Sequence, residues 1–415
     1  MRRQSILPRP NWQKKVEEKG LEIHTLDGKP YWNESACYLF SSAEVDILEK
    51  AVADLYEMCV EAAGFVIENR MWDIFEIPAA FGPWIEASWE ADQPSLYGRF
   101  DLSWNGSGPP KMLEFNADTP TSLVEAGVIQ WYWLEDRIAD GLSPAQWDQF
   151  NSIHDKLIAS WAEIAASERI TRLHIASMTD QPEDLMTAVY LLDTARQSGL
   201  EASMIDINSI GFNPVRKEFV DLVNDPIDMI FKLYPWEWMV REKFGRDLPV
   251  AQCMWLEPPW KMVMSNKAIL PVLWEMFPNH PNLLWAGWER PEPGSSVNEY
   301  VSKPIFGREG SNVIVETAQG ATLAAQEGPY DQGPFSRRIY QAYAPLPEYS
   351  GVRPVLGGWV IGGEPAGLGI REDDGPITTN FSRFVPHAID SQAGCSCLDV
   401  VFCWGFEMET IRCHE

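Results

Sequence analysis

The chain has 415 residues, more than one hydrophobic core usually organises, so two or three sub-domains are expected. Its apolar content of 45%, with 19 Trp and 18 Phe, describes a globular protein, and no stretch approaches the ~20 uninterrupted apolar residues of a membrane span. A formal charge of -27 argues against a nucleic-acid partner, because phosphate binding needs a surplus of Lys and Arg, and it is compatible with a small cationic one.

The N-terminus, Met1-Arg2-Arg3, carries charge but no apolar run after it, so neither a signal peptide nor a transit sequence is expected, and the cytoplasm is the expected compartment. Residues 42–69 read as a core helix: Val45, Leu48, Val52, Leu55, Cys59, Ala62 and Val66 recur at spacings of three and four, and Ser41 with Glu44 makes a capping box. Residues 71–96 are aromatic and irregular, with Pro78, Pro83 and Pro94 as breakers.

Residues 97–122 are the most informative stretch. Two alternating runs flank the turn signal Asn105-Gly-Ser-Gly108, which predicts a hairpin. With a side-chain period of two, Phe100, Leu102, Leu113 and Phe115 fall on one face and Arg99, Asp101, Glu114 and Asn116 on the other. Symmetric pairing sets Asp101 opposite Glu114 and Arg99 opposite Asn116. Like charges across a ladder repel. Two arrangements relieve this: a solvated polar face with the Arg bridging the acids, or a hard cation such as Mg²⁺ held between carboxylate and amide oxygens.

Thr119-Pro120 reads as an N-cap and first helical residue, opening a helix to about Asp136. Amides at such an end favour anions, so Thr119, Thr121 and Ser122 are candidates for a substrate carboxylate or phosphate, with plain capping as the alternative. Ser143-Pro144 predicts another amphipathic helix to about Ser167, carrying Trp147, Phe150, Leu157, Trp161 and Ile164. A strand at 171–177, a helix at 183–198 closed by Gly199, and strands at 202–207 and 227–232 suggest an α/β sub-domain without a dinucleotide glycine motif. It ends in Lys232-Leu-Tyr-Pro-Trp-Glu-Trp238, where Glu237 suits an amine and the two Trp equally suit a sub-domain junction.

Further on, Lys267 precedes a helix, and Lys303 lies on a strand that leads into Gly307-Arg-Glu-Gly310-Ser311-Asn312 and then the strand 313–317. Glycines let backbone amides approach phosphate oxygens and Lys supplies the charge, so this layout suits a phosphate lid; it is not the Walker pattern, and a simple hairpin remains the alternative. The strand near 338–343 is stopped by prolines and offers Gln341 and Tyr343 to a flat ring or to edge packing. Residues 355–371 read as a tight hairpin that ends in Arg371. Cys395, Cys397, Cys403 and Cys413 crowd the C-terminus beside His414; thiol and imidazole are zinc ligands, but the spacing is not that of a knuckle, and buried or incidental thiols are the expectation.

Arg99-Phe-Asp101, Glu114-Phe-Asn-Ala-Asp-Thr-Pro-Thr-Ser122 and Gln130-Trp-Tyr-Trp-Leu-Glu-Asp136, in that order, resemble the synthetase domain of the glutathionylspermidine synthase family. The resemblance implies an ATP-grasp architecture, α+β or α/β, with antiparallel sheets and an additional small α/β sub-domain. It spans residues 1–387, with that sub-domain near 170–235, the nucleotide-binding half near 260–387, and a tail at 388–415. It implies a carbon–nitrogen ligase that uses ATP and Mg²⁺ to join a small-molecule acid to an amine through an acyl phosphate, as a monomer or homodimer. On this resemblance Asp101, Glu114 and Asn116 would hold Mg²⁺, and Lys267, Lys303, Gly307, Gly310, Ser311, Gln341 and Tyr343 would hold ATP. Arg99 and Arg371 would face the transferring phosphoryl group, while Thr119, Thr121, Ser122 and Glu237 would meet the substrates. The amidase domain of the bifunctional members has no counterpart here, so product hydrolysis is not expected. A nucleotide-binding module without ligase chemistry and a metal-dependent hydrolase are the rival readings.

Overall fold

Both halves of the capping box at Ser41 form: Ser41 Oγ accepts from the Glu44 amide at 3.3 Å, and the Glu44 carboxylate accepts from the Ser41 amide at 2.9 Å. This start is worth about 1 kcal/mol, and the helix runs Ser42–Glu68 with the expected apolar stripe buried. The computed structural model containing it describes residues 1–391 apart from Asp27, Asp331, Gln332, Asn380 and Phe381. The expected cysteine cluster and the possibility of zinc there lie outside the described residues. Pro83, expected as a breaker, sits in the first turn of the helix Gly82–Glu90, where no amide is required of it.

The long helix packs on a five-stranded antiparallel sheet in the order Arg383–Phe384, Glu364–Asp373, Arg353–Ile361, Tyr97–Ser103, Lys111–Asn116. The last two strands are the expected hairpin, and the register is as expected from the turn's far side: Arg99 opposite Asn116, Phe100 opposite Phe115 and Asp101 opposite Glu114. Beyond Asp101 a bulge shifts the ladder by one residue, so Leu102 faces Met112. Leu113, expected on the apolar face with Phe100, is therefore turned toward the cavity, and Met112 takes its place in the core. The strands Arg353–Ile361 and Glu364–Asp373 form the second expected hairpin, turning at Gly362 and Gly363 with φ of 57° and 85°, values that glycine adopts without a Cβ clash. Its return strand brings Arg371 beside Asp101.

A four-stranded parallel sheet, ordered Met254–Leu256, Met229–Leu233, Arg172–Ser177, Glu201–Asp206, with the helices Ile153–Glu168 and Pro182–Gln197, forms the expected α/β unit and adds a strand at 254–256. The helix expected from Ser143 starts only at Ile153. Residues 144–152 are drawn off by bridges from Asp148 to Ile389 and Asn151 to Gly367, which take the backbone groups a helix would use. The helix expected from Pro120 also starts late. Thr121 O accepts from Arg99 Nη1 at 2.9 Å, and Ser122 has φ of 75°, a left-handed conformation incompatible with a helical turn. A π-turn, Glu125–Ile129, then leads into the α-helix Gln130–Ala139.

The second five-stranded antiparallel sheet is ordered Ala286–Gly287, Arg338–Ala342, Glu299–Pro304, Ile314–Thr317, Thr322–Ala325. A strand His387–Ile389 pairs in parallel with Ala36–Phe40, so an ordered element crosses the expected boundary at 387. Among the described residues no helix is long and apolar enough to cross a membrane.

Candidate active site

Facing elements of the two antiparallel sheets and the ends of the parallel unit enclose a cavity of about 700 Å³. Arg99, Asp101, Glu114, Asn116, Thr119, Thr121, Ser122, Glu237, Lys267, Lys303, Gly307, Gly310, Gln341, Tyr343 and Arg371 all line it. Ser311 does not: its amide donates to Arg308 O at 2.8 Å, and the residue lies against Gly328. The turn that follows Gly310 rotates it out of the wall, so its proximity in sequence to the lid glycines was misleading.

Asp101 and Glu114 are cross-strand neighbours, yet neither arrangement weighed from the sequence describes them fully. Each acid has cations of its own. Asp101 Oδ1 accepts from Arg99 Nε at 2.9 Å, and Oδ2 accepts from Arg371. Glu114 Oε2 lies 3.0 Å from Lys267 Nζ. Burial pushes the Asp101 carboxyl up, but Arg371 and Arg99 outweigh it and hold the group at about 2. At Glu114 burial and then the Asp101 charge act upward, and Lys267 with Lys303 nevertheless holds it below the usual carboxylate range. Arg99 can lie across the neighbouring strand because Gly357 stands there; a Cβ at that position would come within 3.0 Å of Arg99 Cδ.

Lys303 is buried and donates to Leu113 O at 2.9 Å and to Gln341 Oε1 at 2.8 Å. The bulge explains the first bond, since it turns the Leu113 carbonyl toward the lysine. Burial lowers the ammonium to about 8. Gln341, expected at a purine ring, spends its side chain on this lysine and on Met112 O, to which Nε2 donates at 3.1 Å. Val301, opposite Gln341 on the neighbouring strand, and Val315, opposite Val301, line the cavity too, as do Ile305, Tyr343, Leu346 and Val355. Around Asp101 and Glu114 the wall therefore gathers Arg99, Arg371, Lys267 and Lys303, an excess of two positive charges inside a chain of net charge -27. A desolvated cationic surplus of this kind stabilises polyanions.

At the other end, Glu237 is held by Arg308, whose Nη2 and Nε donate to Oε1 at 2.8 and 3.2 Å and whose Nη1 donates to Thr119 Oγ1 at 2.8 Å. Arg308 was not singled out from the sequence, although its place inside Gly307-Arg-Glu-Gly310 marked it. Glu183 and Asp184 were missed as well, because acids in the first turn after Pro182 look like ordinary helix-end charges. In the structure they line the cavity. Burial, then Glu125 and Glu309, raise Glu183 to about 7, and burial raises Asp184 to about 6. Lys267 Nζ also donates to Gly307 O at 2.6 Å, so the loop from Gly307 is tied to the wall at both Gly307 and Arg308.

The profile described as glutathionylspermidine synthase preATP-grasp matches residues 3–390. The chain belongs to the glutathionylspermidine synthase family. It is thereby a member of a family of amide-forming carbon–nitrogen ligases. A Haemophilus influenzae protein provisionally named an acid–amine ligase is 38% identical over 387 residues, covering 91% of this chain and 97% of that protein. The trypanothione synthetase of Crithidia fasciculata is 30% identical over 357 residues, covering 80% of this chain but 53% of its own length, so this chain spans about half of that relative. Among solved structures, a glutathione synthetase-like effector from Globodera pallida superposes with a TM-score of 0.52 at 11% identity, covering 92% of this chain and all of that one, which shows a shared fold. The chain thus has a mixed α/β architecture with antiparallel sheets and shares its fold with that structure.

Proposed function

We propose that this member of the family joins a carboxylic acid to an amine at the expense of ATP, by way of an acyl phosphate, on an ATP-grasp architecture. The observation that carries the reading is the surplus of Arg99, Arg371, Lys267 and Lys303 over Asp101 and Glu114 in one cavity, which Val301, Val315 and other apolar side chains suited to a purine ring also line. The two acids and Asn116 offer the hard oxygen donors that Mg²⁺ takes, and all three face the cavity. Bound there, Mg²⁺ would supply charge neutralisation between phosphate groups.

The chain's own residues divide the remaining work. Lys267 and Lys303 neutralise the nucleotide phosphates, and Arg371 with Arg99 faces the group in transfer as a substrate carboxylate oxygen attacks phosphorus and ADP leaves. Thr119, Thr121 and Ser122, hydroxyls on the turn after Asn116, suit the acid, and Arg308 reaches that turn from the Glu237 end through its bond to Thr119. Glu183 and Asp184, with Glu237 across from them, suit a cationic amine. A carboxylate of the Glu183 type takes a proton from the ammonium, the freed amine nitrogen attacks the activated carbonyl carbon, and phosphate leaves as the nitrogen gives up its second proton to the departing phosphate. No protein nucleophile is needed.

Release of ADP tests this, with glutathione as probe acid and spermidine as probe amine, extended to a panel of other acids and amines. The expected result is ADP release that requires Mg²⁺ and both organic substrates. ATP turnover indifferent to every acid and amine, or an absence of nucleotide binding, would contradict it.

A further inference from the structure

Asp101 with Glu114 and Glu237 belong to different sheets, the antiparallel hairpin and the parallel unit, while Lys303 and Arg308 come from the second antiparallel sheet and the loop after it, and a two-substrate reaction requires these parts in register. Asp118 lies between Asn116 and Thr119, has no exposure, and is not part of the cavity wall. Its Oδ1 accepts from Lys232 Nζ at 2.5 Å, and its Oδ2 accepts from the Trp236 amide at 3.0 Å. Lys232, equally buried, also donates to Tyr234 O at 3.0 Å and stands 4.2 Å from the centre of the Trp236 ring. One buried ion pair therefore fastens the turn carrying Asn116 and Thr119 to the strand end and helix start carrying Tyr234 and Glu237.

A second buried pair makes the contrast. Lys261 and Glu257 are 2.8 Å apart, and Glu257 accepts from the Leu96 and Tyr97 amides while Lys261 donates to Tyr97 O. That pair joins the start of the strand Tyr97–Ser103 to the segment after Met254–Leu256, whereas the Asp118 pair lies directly beside the cavity-lining residues Thr119 and Leu233. A buried pair is a weak source of stability, since well-packed neutral replacements are often tolerated, and its retention invites a role in specifying geometry.

We propose that Asp118, acting with Lys232, is a positioning residue that sets the Glu237–Arg308 end of the cavity against the Asp101–Glu114 end. The kinetic part of this inference rests on the ligase reading above; the structural part does not. In the double variant Asp118→Asn/Lys232→Met both charges go and neither partner is left as an unpaired buried ion. Amide exchange should then quicken about 10-fold or more in residues 236–239 and 307–310, and stay unchanged in Tyr97–Ser103. At saturating Mg-ATP and spermidine, the KM for glutathione should rise about 10-fold while the KM for ATP stays within about twofold. The single variant Asp118→Asn, which retains an acceptor for the Trp236 amide, serves as the second reading if the double variant does not fold. Wild-type exchange in both segments together with an unchanged ratio of the two KM values would overturn the proposal, whatever the melting temperature. Failure of the wild-type protein to release ADP with these probes counts against the ligase reading instead, and exchange alone then decides the role of Asp118.

Discussion

Glu114→Gln should lower ATP turnover by about two to three orders of magnitude, the scale of losing one charged group that acts on a transferring phosphoryl centre. It should not stabilise the ligand-free protein. From the sequence, the Asp101–Glu114 pair is a repulsion whose relief would raise, or at least spare, the stability of the fold. The structure reverses this expectation: Glu114 sits 3.0 Å from Lys267 and is held ionised, so the substitution removes an attraction and leaves Lys267 in a cationic neighbourhood with Lys303. With the two side chains 29% and 14% exposed, the cost lies between about 1 kcal/mol for a surface pair and about 3 kcal/mol for a buried one. Thermal melts with and without Mg²⁺ and a non-hydrolysable ATP analogue check this. A lower ligand-free Tm and a much smaller ligand-induced shift are expected in the variant. A higher ligand-free Tm, or an undiminished shift with normal turnover, would remove the metal role from this hairpin.

Glu183→Gln should lower kcat/KM for the amine at least about 10-fold at pH 8 while leaving the KM for ATP little changed. Its pH dependence carries a sign that can be checked. Burial, then Glu125 and Glu309, raise the carboxyl to about 7, so it is neutral below that pH and charged above it. Amine kcat/KM in the wild type should therefore fall as pH drops through about 7, and the variant should lack that limb. Stability runs the other way. A carboxyl whose folded value is raised contributes stability that is full below its unfolded value near 4.5 and lost as pH rises through about 7. Glu183→Gln should thus melt higher than wild type at pH 8, by on the order of 1 kcal/mol after solvent screening, with the difference vanishing near pH 4. Equal amine kinetics in the two proteins across this range would detach Glu183 from the amine.

The hairpin that organises the site was legible because two signals coincide, a period-two alternation and an Asn-Gly-Ser-Gly turn, and together they give the pairing of Arg99 with Asn116 and of Asp101 with Glu114. The bulge at Leu113 was not legible. It is a backbone slip of one residue with no marker in the side chains, yet it aims the carbonyl that holds Lys303. The helix starts expected at Pro120 and Pro144 show the same limit. Thr-Pro and Ser-Pro favour a helical first turn locally, but Arg99 on Thr121 O and the bridges at Asp148 and Asn151 claim those backbone groups from a distance. Capping at Ser41 had no such competitor and formed as read.

Residues that the sequence misled on, or hid, belong to long-range pairs. Arg308 acquires meaning only from Glu237, 71 positions away, and from Thr119, and Asp118 only from Lys232 and Trp236, each more than a hundred positions away. Glu183 and Asp184 read as helix-end acids until the fold turns that helix end toward the cavity. Gln341 lines the cavity as expected, but its amide is committed to Lys303 and Met112, which makes it a support for that lysine more than a free partner for a flat ring.

The claim at the centre of this account is that the cationic wall drives phosphoryl transfer from ATP to a carboxylate before the amine attacks. Isotope transfer tests it most directly. Glutathione labelled with ¹⁸O in its glycine carboxylate is turned over with Mg-ATP and spermidine, and the released phosphate is analysed by mass. Attack of the carboxylate oxygen on phosphorus followed by expulsion of phosphate from the carbonyl carries one labelled oxygen into each phosphate released. Amide product accompanied by phosphate free of label would contradict the acyl-phosphate route and the role assigned to Arg99 and Arg371.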